Sequence, residues 1–250
     1  MIWRNIRWLA ALLLILNNMK KSASIIVTAF NEEDNISGAI KSILKAVKGI
    51  ITDYEILIVN DGSTDQTQNV IEGEIKKNHR IRLINNPVNQ GVGTSFRNAL
   101  MKAHKNYVTV FPGDNDMSSK SLKELCQKMD TADLVIAYPV SQHRSSVRKI
   151  LSLTFTKFLN ILFRQKIKYY NGPFIAKLAL LKNLPLKSTG FLVFAEFKLK
   201  LISQGYSCVE VPFVHVGRKH GNSKAVSISN LIDVAKTTLF LVIDKTTNQF

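Results

Sequence analysis

Between Asp133 and Glu196 the sequence contains no acidic residue, although ten Lys and Arg residues fall in that interval. Residues 1–133 carry 17 bases against 14 acids, whereas residues 134–250 carry 17 against 4, so the formal charge of +16 is concentrated in the second half. So one-sided a field points to a polyanionic partner: a membrane face, nucleic acid or a phosphorylated substrate. Nucleic acid is disfavoured, because no platform of interleaved aromatic and basic residues is present to stack bases.

Cysteine is nearly absent. The two present, Cys126 and Cys208, have neither metal-binding nor redox spacing, and a buried, reduced pair is expected. No stretch reads as a membrane-spanning helix, which needs about 20 apolar residues. The N-terminal run from Trp8 to Leu16 is too short, and Asn17 to Lys21 follow where a secretory signal would place small residues. Residues 1–18 are therefore read as a leader, either interfacial or lying ahead of a true start at Met19, within an N-terminal segment set at 1–21. Internal repeats and low-complexity tracts are also missing. The histidines (79, 104, 143, 215 and 220) show no ligand spacing, and each is read as structural or exposed, with His220 inside a basic loop.

What remains can bury a full core in one domain of α/β size, at 250 residues and 46% hydrophobic composition. Ser24–Ala29 (SIIVTA) and Tyr54–Val59 (YEILIV) are continuous apolar runs, as expected of strands buried on both faces. Ile36, Ile40, Ile43, Leu44 and Val47 form a helical stripe between them. Ser63 and Gln66 have the spacing of a capping box opening the next helix. Short strands at Arg80–Asn85, Tyr107–Phe111 and Ala132–Ala137 alternate with helices at 94–103 and 119–129. Such alternation predicts βαβ units and a mainly parallel sheet flanked by helices, with ligands beyond the carboxyl ends of the strands.

The second half differs. Residues 147–168 carry Leu151, Phe155, Phe158, Leu159 and Leu162 at helical spacing among only basic charges. This pattern fits either a core helix or a basic amphipathic helix lying on a membrane surface. A helix at 191–203, a strand at 206–213, the basic loop 217–224 and an amphipathic segment from Ile228 to Leu239 complete the chain. The main domain is set at 22–230, with 145–168 as its basic amphipathic segment and 231–250 as a C-terminal amphipathic tail.

The groups able to do chemistry cluster at strand ends. Asp114 and Asp116 follow a strand through Phe111-Pro112-Gly113. Two like charges so close repel unless a cation lies between them. A carboxylate with substrate phosphate oxygens is a usual seat for Mg²⁺, and Mn²⁺ suits the same oxygen set. Asp61 could cap a helix, but Ser63 and Thr64 are better placed for that, leaving it to accept from a base or ribose. Gly91 and Gly93 precede a helix and would let backbone approach a phosphate or base, without completing a dinucleotide fingerprint. Arg97, one helical turn in, reads either as a nucleotide contact or as a surface charge. Arg144, Arg148, Arg218, Lys219 and Lys224 are candidate phosphate partners. Glu196, alone on the apolar helix FLVFAEFKLKLI, needs a basic partner.

Together the stretches SIIVTAFNEEDNI, YEILIVNDGSTDQT, NNPVNQGVGTSFRNAL, FPGDNDM and EVPFVHVGRKHGNSK resemble family-2 glycosyltransferases of the GT-A (nucleotide-diphospho-sugar transferase) fold. Among these the chain is most similar to dolichyl- or polyprenyl-phosphate mannose and glucose synthases. The resemblance covers roughly residues 22–230. It implies that Thr28, Asn31, Glu32 and Asp61 line a nucleotide pocket, with Gly91, Gly93, Arg97 and Asp114 as further nucleotide contacts. It implies Asp114 and Asp116 as a D-x-D pair bridged by Mg²⁺ or Mn²⁺ to the donor diphosphate. Arg148, Arg218 and Lys224 fall where relatives hold acceptor phosphate and donor diphosphate, and Arg144 joins the acceptor group. Asp116, Arg148, Arg218 and Glu196 are then the candidate catalytic residues.

Three departures from the family pattern stand out. Thr28 or Ala29 and Phe30 replace the usual Pro and Tyr. Tyr169–Ile175 replaces a middle signature containing Asp and Arg. The Gly-Thr-Ser-Phe-Arg97 stretch resembles saccharide-forming relatives more than mannose synthases. The implied reaction is inverting transfer of a hexose, from a GDP-mannose- or UDP-glucose-type donor, to a polyprenyl or dolichyl phosphate. It would take place at the cytoplasmic face of an anionic membrane, with a separate membrane-anchoring subunit as a further candidate partner. Two alternatives stay open: transfer to a saccharide or lipid-linked sugar hydroxyl, with Glu196 as base, and a non-catalytic basic protein that binds membrane or nucleic acid.

Overall fold

The computed structural model describes residues 21–140, 146–217 and 228–246, and it leaves the side chains of 146–148, 228–235 and 246 outside that description. Seven strands form one sheet: β1 (Ser22–Ala29), β2 (Asp53–Asp61), β3 (Ile81–Asn86), β4 (Tyr107–Val110), β5 (Leu134–Pro139), β6 (Phe174–Lys177) and β7 (Cys208–Phe213). The helices are α1 (Ile36–Val47), α2 (Thr67–Lys77), α3 (Val92–Lys102), α4 (Ser119–Gln127), α5 (Ser146–Phe163), α6 (Leu178–Lys182), α7 (Val193–Ser203) and α8 (Ile228–Thr246).

The strand order is β3-β2-β1-β4-β6-β5-β7. All neighbours run parallel except β6, which is antiparallel to both β4 and β5. The expected mainly parallel α/β sheet is therefore present. Its central strands carry apolar runs because both faces are covered, with the buried Ser24 Oγ of β1 donating to Glu55 of β2 at 2.7 Å. Ile25, Val27, Ile56 and Ile58 pack under α1 and α4, while Ile26, Leu57 and Val59 pack against Phe96 of α3 and Phe197 of α7. A third cluster joins Leu159 and Phe163 of α5, Leu199 of α7 and Leu241 of α8.

Several expectations shift. The capping box does not form: α2 begins at Thr67, its N-cap Gln66 makes no side-chain cap, and Ser63 Oγ accepts instead from the Asn31 amide at 3.0 Å. The basic helix ends at Phe163, well short of residue 168. β6 and the short α6 follow it, two elements absent from the sequence reading. Both cysteines are free, but only Cys126 is buried and Cys208 is half-buried. Burial pushes the Cys126 thiol up to about 12, so it is inert at neutral pH. The leader, Arg144, Arg218, Lys219 and Lys224, together with the side chain of Arg148, lie outside the described residues.

Candidate active site

The carboxyl edge of β2, β1 and β4 gathers the acids that the sequence placed at strand ends. Here the loop after β1 is clipped to the loop after β2. Asn31, held at φ 57°, accepts from the Thr64 amide through Oδ1 at 2.8 Å, and the Glu32 amide donates to Thr67 Oγ1 at 2.8 Å. Glu32 Oε2 in turn accepts from Asn35 Nδ2 at 2.8 Å. Asn31 and Glu32 thus shape the rim of the edge, and Thr28 sits half-buried at the end of β1.

Asp61 ends β2 and is only 4% exposed. Three donors converge on it: Asn86 Nδ2 at 2.8 Å and the Gln90 amide at 2.9 Å on Oδ1, and the Gly91 amide at 3.0 Å on Oδ2. A carboxylate offers about four acceptor positions. Asp61 therefore both fixes the loop before α3 and keeps capacity on Oδ2 for one further donor.

The G-x-G turn has a different partner from the one its spacing implied. A Cβ on Gly93 would lie 2.6 Å from the Thr189 carbonyl carbon and 2.7 Å from Ser188 O. The Gly93 amide donates to Thr189 O at 2.7 Å, and Thr94 donates to the same oxygen at 3.3 Å. The close approach is to the chain's own 185–190 loop. Arg97 joins it, donating to Leu186 O at 2.8 Å and spanning to Thr94 Oγ1 at 3.4 Å. Arg97 is a fastener between elements.

Asp114 and Asp116 follow β4 in a tight acidic turn. Asn115 sits between them at φ 56°, a conformation Asn tolerates better than most residues. Asp114 Oδ1 accepts from the Asp116 amide at 3.0 Å. The chain after β7 then returns to this turn. Gly217 donates its amide to Asp116 Oδ1 at 2.9 Å, and His215 Nδ1 lies 3.0 Å from Asp116 Oδ2. Backbone bonds from Val216 to Asp116 O and a bridge between Met117 and His215 hold the two segments in register. An ionised carboxylate only accepts, so this contact places a proton on Nδ1.

His215 is the residue the sequence reading set aside as structural or exposed. Its signal was the alternation after β7, where Val211, Phe213 and His215 share one face of an extended chain. Among the described residues no group of three or more His, Cys, Asp or Glu side chains is arranged to enclose a metal ion. Two carboxylates beside an imidazole nevertheless fit a hard divalent ion that keeps waters and takes further oxygens from a substrate.

Glu196 stands apart from this edge. It is 2% exposed, and its carboxylate accepts from the Lys187 amide (2.9 Å), the Ser188 amide (2.9 Å) and Ser188 Oγ (2.6 Å), with Lys200 Nζ 3.2 Å away. The basic partner expected for it is Lys200. Four donors saturate the carboxylate, so the base role proposed from the sequence is corrected to a structural one.

A cavity of about 320 Å³ is lined by Tyr138, Pro139, Lys149, Ser152, Leu153, Lys168 and Tyr169. Tyr169 stacks on Phe213 at 6.5 Å, and Phe213 meets the His215 ring at a tilt with centroids 4.6 Å apart, so aromatic rings connect this cavity to the acidic turn. The loop that carries Tyr169 is fixed from below by Lys198, which is fully buried and donates to Tyr170 O and Gly172 O, both at 2.6 Å. Burial holds its ammonium down to about 7.

Residues 24–190, two thirds of the chain, match the glycosyl transferase family 2 model. The teichoic acid poly(glycerol phosphate) polymerase of Staphylococcus epidermidis is 28% identical over 150 residues, covering 60% of this chain and 19% of that protein. The glycosyltransferase EpsJ of Bacillus subtilis is 31% identical over 113 residues, 45% of this chain and 32% of that one. The chain thus spans less than half the length of these curated relatives. Among solved structures, glucosyl-3-phosphoglycerate synthase from Mycobacterium tuberculosis has the same fold. Its complex with Mn²⁺, UDP and glucosyl-3-phosphoglycerate superposes with a TM-score of 0.68 at 19% identity, covering 89% of this chain and 79% of that one. Its complex with Mg²⁺ and UDP gives 0.65 at 19% identity over 86% and 78%.

Proposed function

The chain belongs to glycosyl transferase family 2, and from that premise we propose that it is a metal-dependent inverting hexosyltransferase. The donor is a GDP-mannose- or UDP-glucose-type sugar, and the acceptor is a polyprenyl or dolichyl phosphate at the cytoplasmic face of a membrane. One observation carries this reading. The Asp114–Asp116 turn shares a sheet edge with Asp61, and the chain after β7 folds back onto Asp116 through His215 and Gly217. The solved relatives hold UDP with Mn²⁺ or Mg²⁺, which supports a nucleoside diphosphate and a divalent ion at this edge.

In this proposal Asp61 takes a ribose or base donor on Oδ2, while Thr28, Asn31 and Glu32 form the pocket rim. Asp114 and Asp116, the latter steadied by His215, would hold Mg²⁺ or Mn²⁺, which when bound supplies positive charge to the departing diphosphate. A lipid phosphate, with a second pKa of about 6, is already an anionic nucleophile at neutral pH and needs cations to position it. Lys149 and Lys168 in the cavity beside Tyr169 are suited to that, in addition to the proposed Arg144, Arg148, Arg218 and Lys224. A sugar hydroxyl would need a carboxylate base, and Glu196 has no acceptor capacity left. That favours the phosphate acceptor.

Membrane contact is supported by α5 and α8. Ile150, Leu151, Leu153, Phe158 and Ile161 of α5 and Leu239, Phe240 and Ile243 of α8 are exposed. Lys157, Arg164, Lys236 and Lys245 lie exposed among them. No helix among the described residues is long and apolar enough to cross a membrane, so the contact would be in-plane.

The test incubates the protein with Mn²⁺ or Mg²⁺, radiolabelled UDP- and GDP-sugars and bacterial membranes, followed by solvent extraction. Label in an acid-labile lipid fraction is expected, and Asp116→Ala should abolish it while the protein stays folded. Label confined to a glycan would replace the phosphate acceptor with a hydroxyl one. Absence of transfer from every donor would overturn the enzyme assignment.

A further inference from the structure

Lys187, Glu196, Lys200 and Asp244 form a charged quartet that no step of the proposed reaction uses. Lys200 Nζ lies 3.2 Å from Glu196 Oε1 and 3.1 Å from Asp244 Oδ2, and it donates to Pro185 O at 2.7 Å. Lys187 Nζ closes the far side, 2.6 Å from Asp244 Oδ1. The Glu196, Lys200 and Asp244 side chains are 1–3% exposed. Burial alone would raise the Asp244 carboxyl, but hydrogen bonds from Lys187 and Lys200 outweigh it and hold the group below the ordinary carboxylate range.

An apolar cluster of equal volume would stabilise the fold as well or better, because buried ion pairs rarely recover their desolvation cost. What a saturated quartet adds is one geometry, and that geometry joins distant parts of the chain. Asp244 lies on α8, which also exposes Leu239, Phe240 and Ile243. Glu196 and Lys200 lie on α7, and both bond to residues 185–188. That segment runs directly into Thr189, whose carbonyl caps Gly93 and Thr94 at the start of α3. Gly91, in the same turn, donates to Asp61. A continuous set of short polar contacts therefore runs from α8 to the carboxylate at the end of β2.

We propose that Glu196, Lys200 and Asp244 are positioning residues for the donor: they place residues 185–189 against the Gly91–Gly93 turn only when α8 is seated. Docking of α8 on an anionic bilayer then tightens the nucleotide pocket. The inference rests on the reading of the Asp61 edge as the donor site. Elements with two discrete arrangements transmit such coupling, and loss of one buried partner is enough to disrupt it.

The experiment uses the full chain with Mn²⁺ and measures the Kd of UDP and GDP, donor KM and kcat, with and without phosphatidylglycerol vesicles. Asp244→Asn is expected to raise nucleotide Kd and donor KM about ten-fold with kcat at saturating donor nearly unchanged. Vesicles should lower donor KM for the wild type and not for the variant. If Asp244→Asn does not fold, Lys187→Met, which removes only the half-exposed limb, should show the same split to a smaller degree. A drop in melting temperature with unchanged donor KM, or a fall in kcat alone, would overturn the proposal and leave the donor reading intact. A wild-type chain that binds neither nucleotide would overturn the donor reading, and the coupling with it.

Discussion

At the scale of single residues, Lys198 separates a buried charge from a functional one. Its ammonium is held by two carbonyl oxygens, and burial depresses it to about 7 from an unfolded value near 10.5. Between these values the unfolded chain binds more protons than the folded one, so this residue makes stability rise with pH from about 7 toward 10.5. Below 7 both states are protonated and the folded protein bears the full desolvation cost. Melting curves of Lys198→Met should lack this rise, and its melting temperature should fall further behind wild type at pH 9 than at pH 6.5. Identical pH slopes for the two proteins would assign the ammonium an ordinary titration. Asp61, Asp114 and Asp116 were legible in sequence because each follows an apolar strand directly. His215 was not, because its partner Asp116 lies 99 residues away and spacing along the chain carries no trace of that contact. Arg97 and Glu196 were recognised as significant, but their partners, Leu186 O and Lys187–Ser188, are backbone groups that side-chain patterns do not advertise.

At the scale of elements, β1 and β2 were readable because burial on both faces imposes unbroken apolar runs. β6 was not, since four residues, FIAK, are too few for any period to emerge. The false capping box shows the converse: Ser63 has the right chemistry, but Asn31 from another loop competes for its hydroxyl. The junction between α3 and the 185–190 loop is one of the tight between-element contacts at the site. Gly93→Ala would set a Cβ 2.6–2.7 Å from the backbone of Ser188 and Thr189. Such overpacking costs about 1–3 kcal/mol, which for a chain of this size lowers the melting temperature by roughly 2–4 °C per kcal/mol. Thermal denaturation checks this, and a melting temperature equal to wild type would mean that the loop moves freely away from α3.

At the scale of the whole molecule, charge asymmetry and the exposed apolar residues of α5 and α8 coincide. Each basic residue near an anionic surface contributes about 1 kcal/mol, falling off within a Debye length. The protein should co-sediment with phosphatidylglycerol vesicles in 0.1 M salt and be largely released from them at 1 M. Phosphatidylcholine vesicles should retain little, and Ile161→Glu, at a position 80% exposed, should weaken retention without lowering the melting temperature. Equal retention on both lipids would remove electrostatics from the association. The sequence announced this charge distribution through its missing acids, but only folding brought the two helices side by side, with Lys245 of α8 donating to Leu162 O of α5.

The return of the chain after β7 also has a temporal meaning. Synthesis proceeds from the N-terminus, so Asp114 and Asp116 leave the ribosome about a hundred residues before His215 and Gly217 reach them. Until then β1 to β4 can pair among themselves, and the acidic turn stands open on its outer side. A nascent chain therefore holds every strand-end acid and still lacks the assembled turn. Completion of this edge reports that all seven strands have been made and threaded into the sheet.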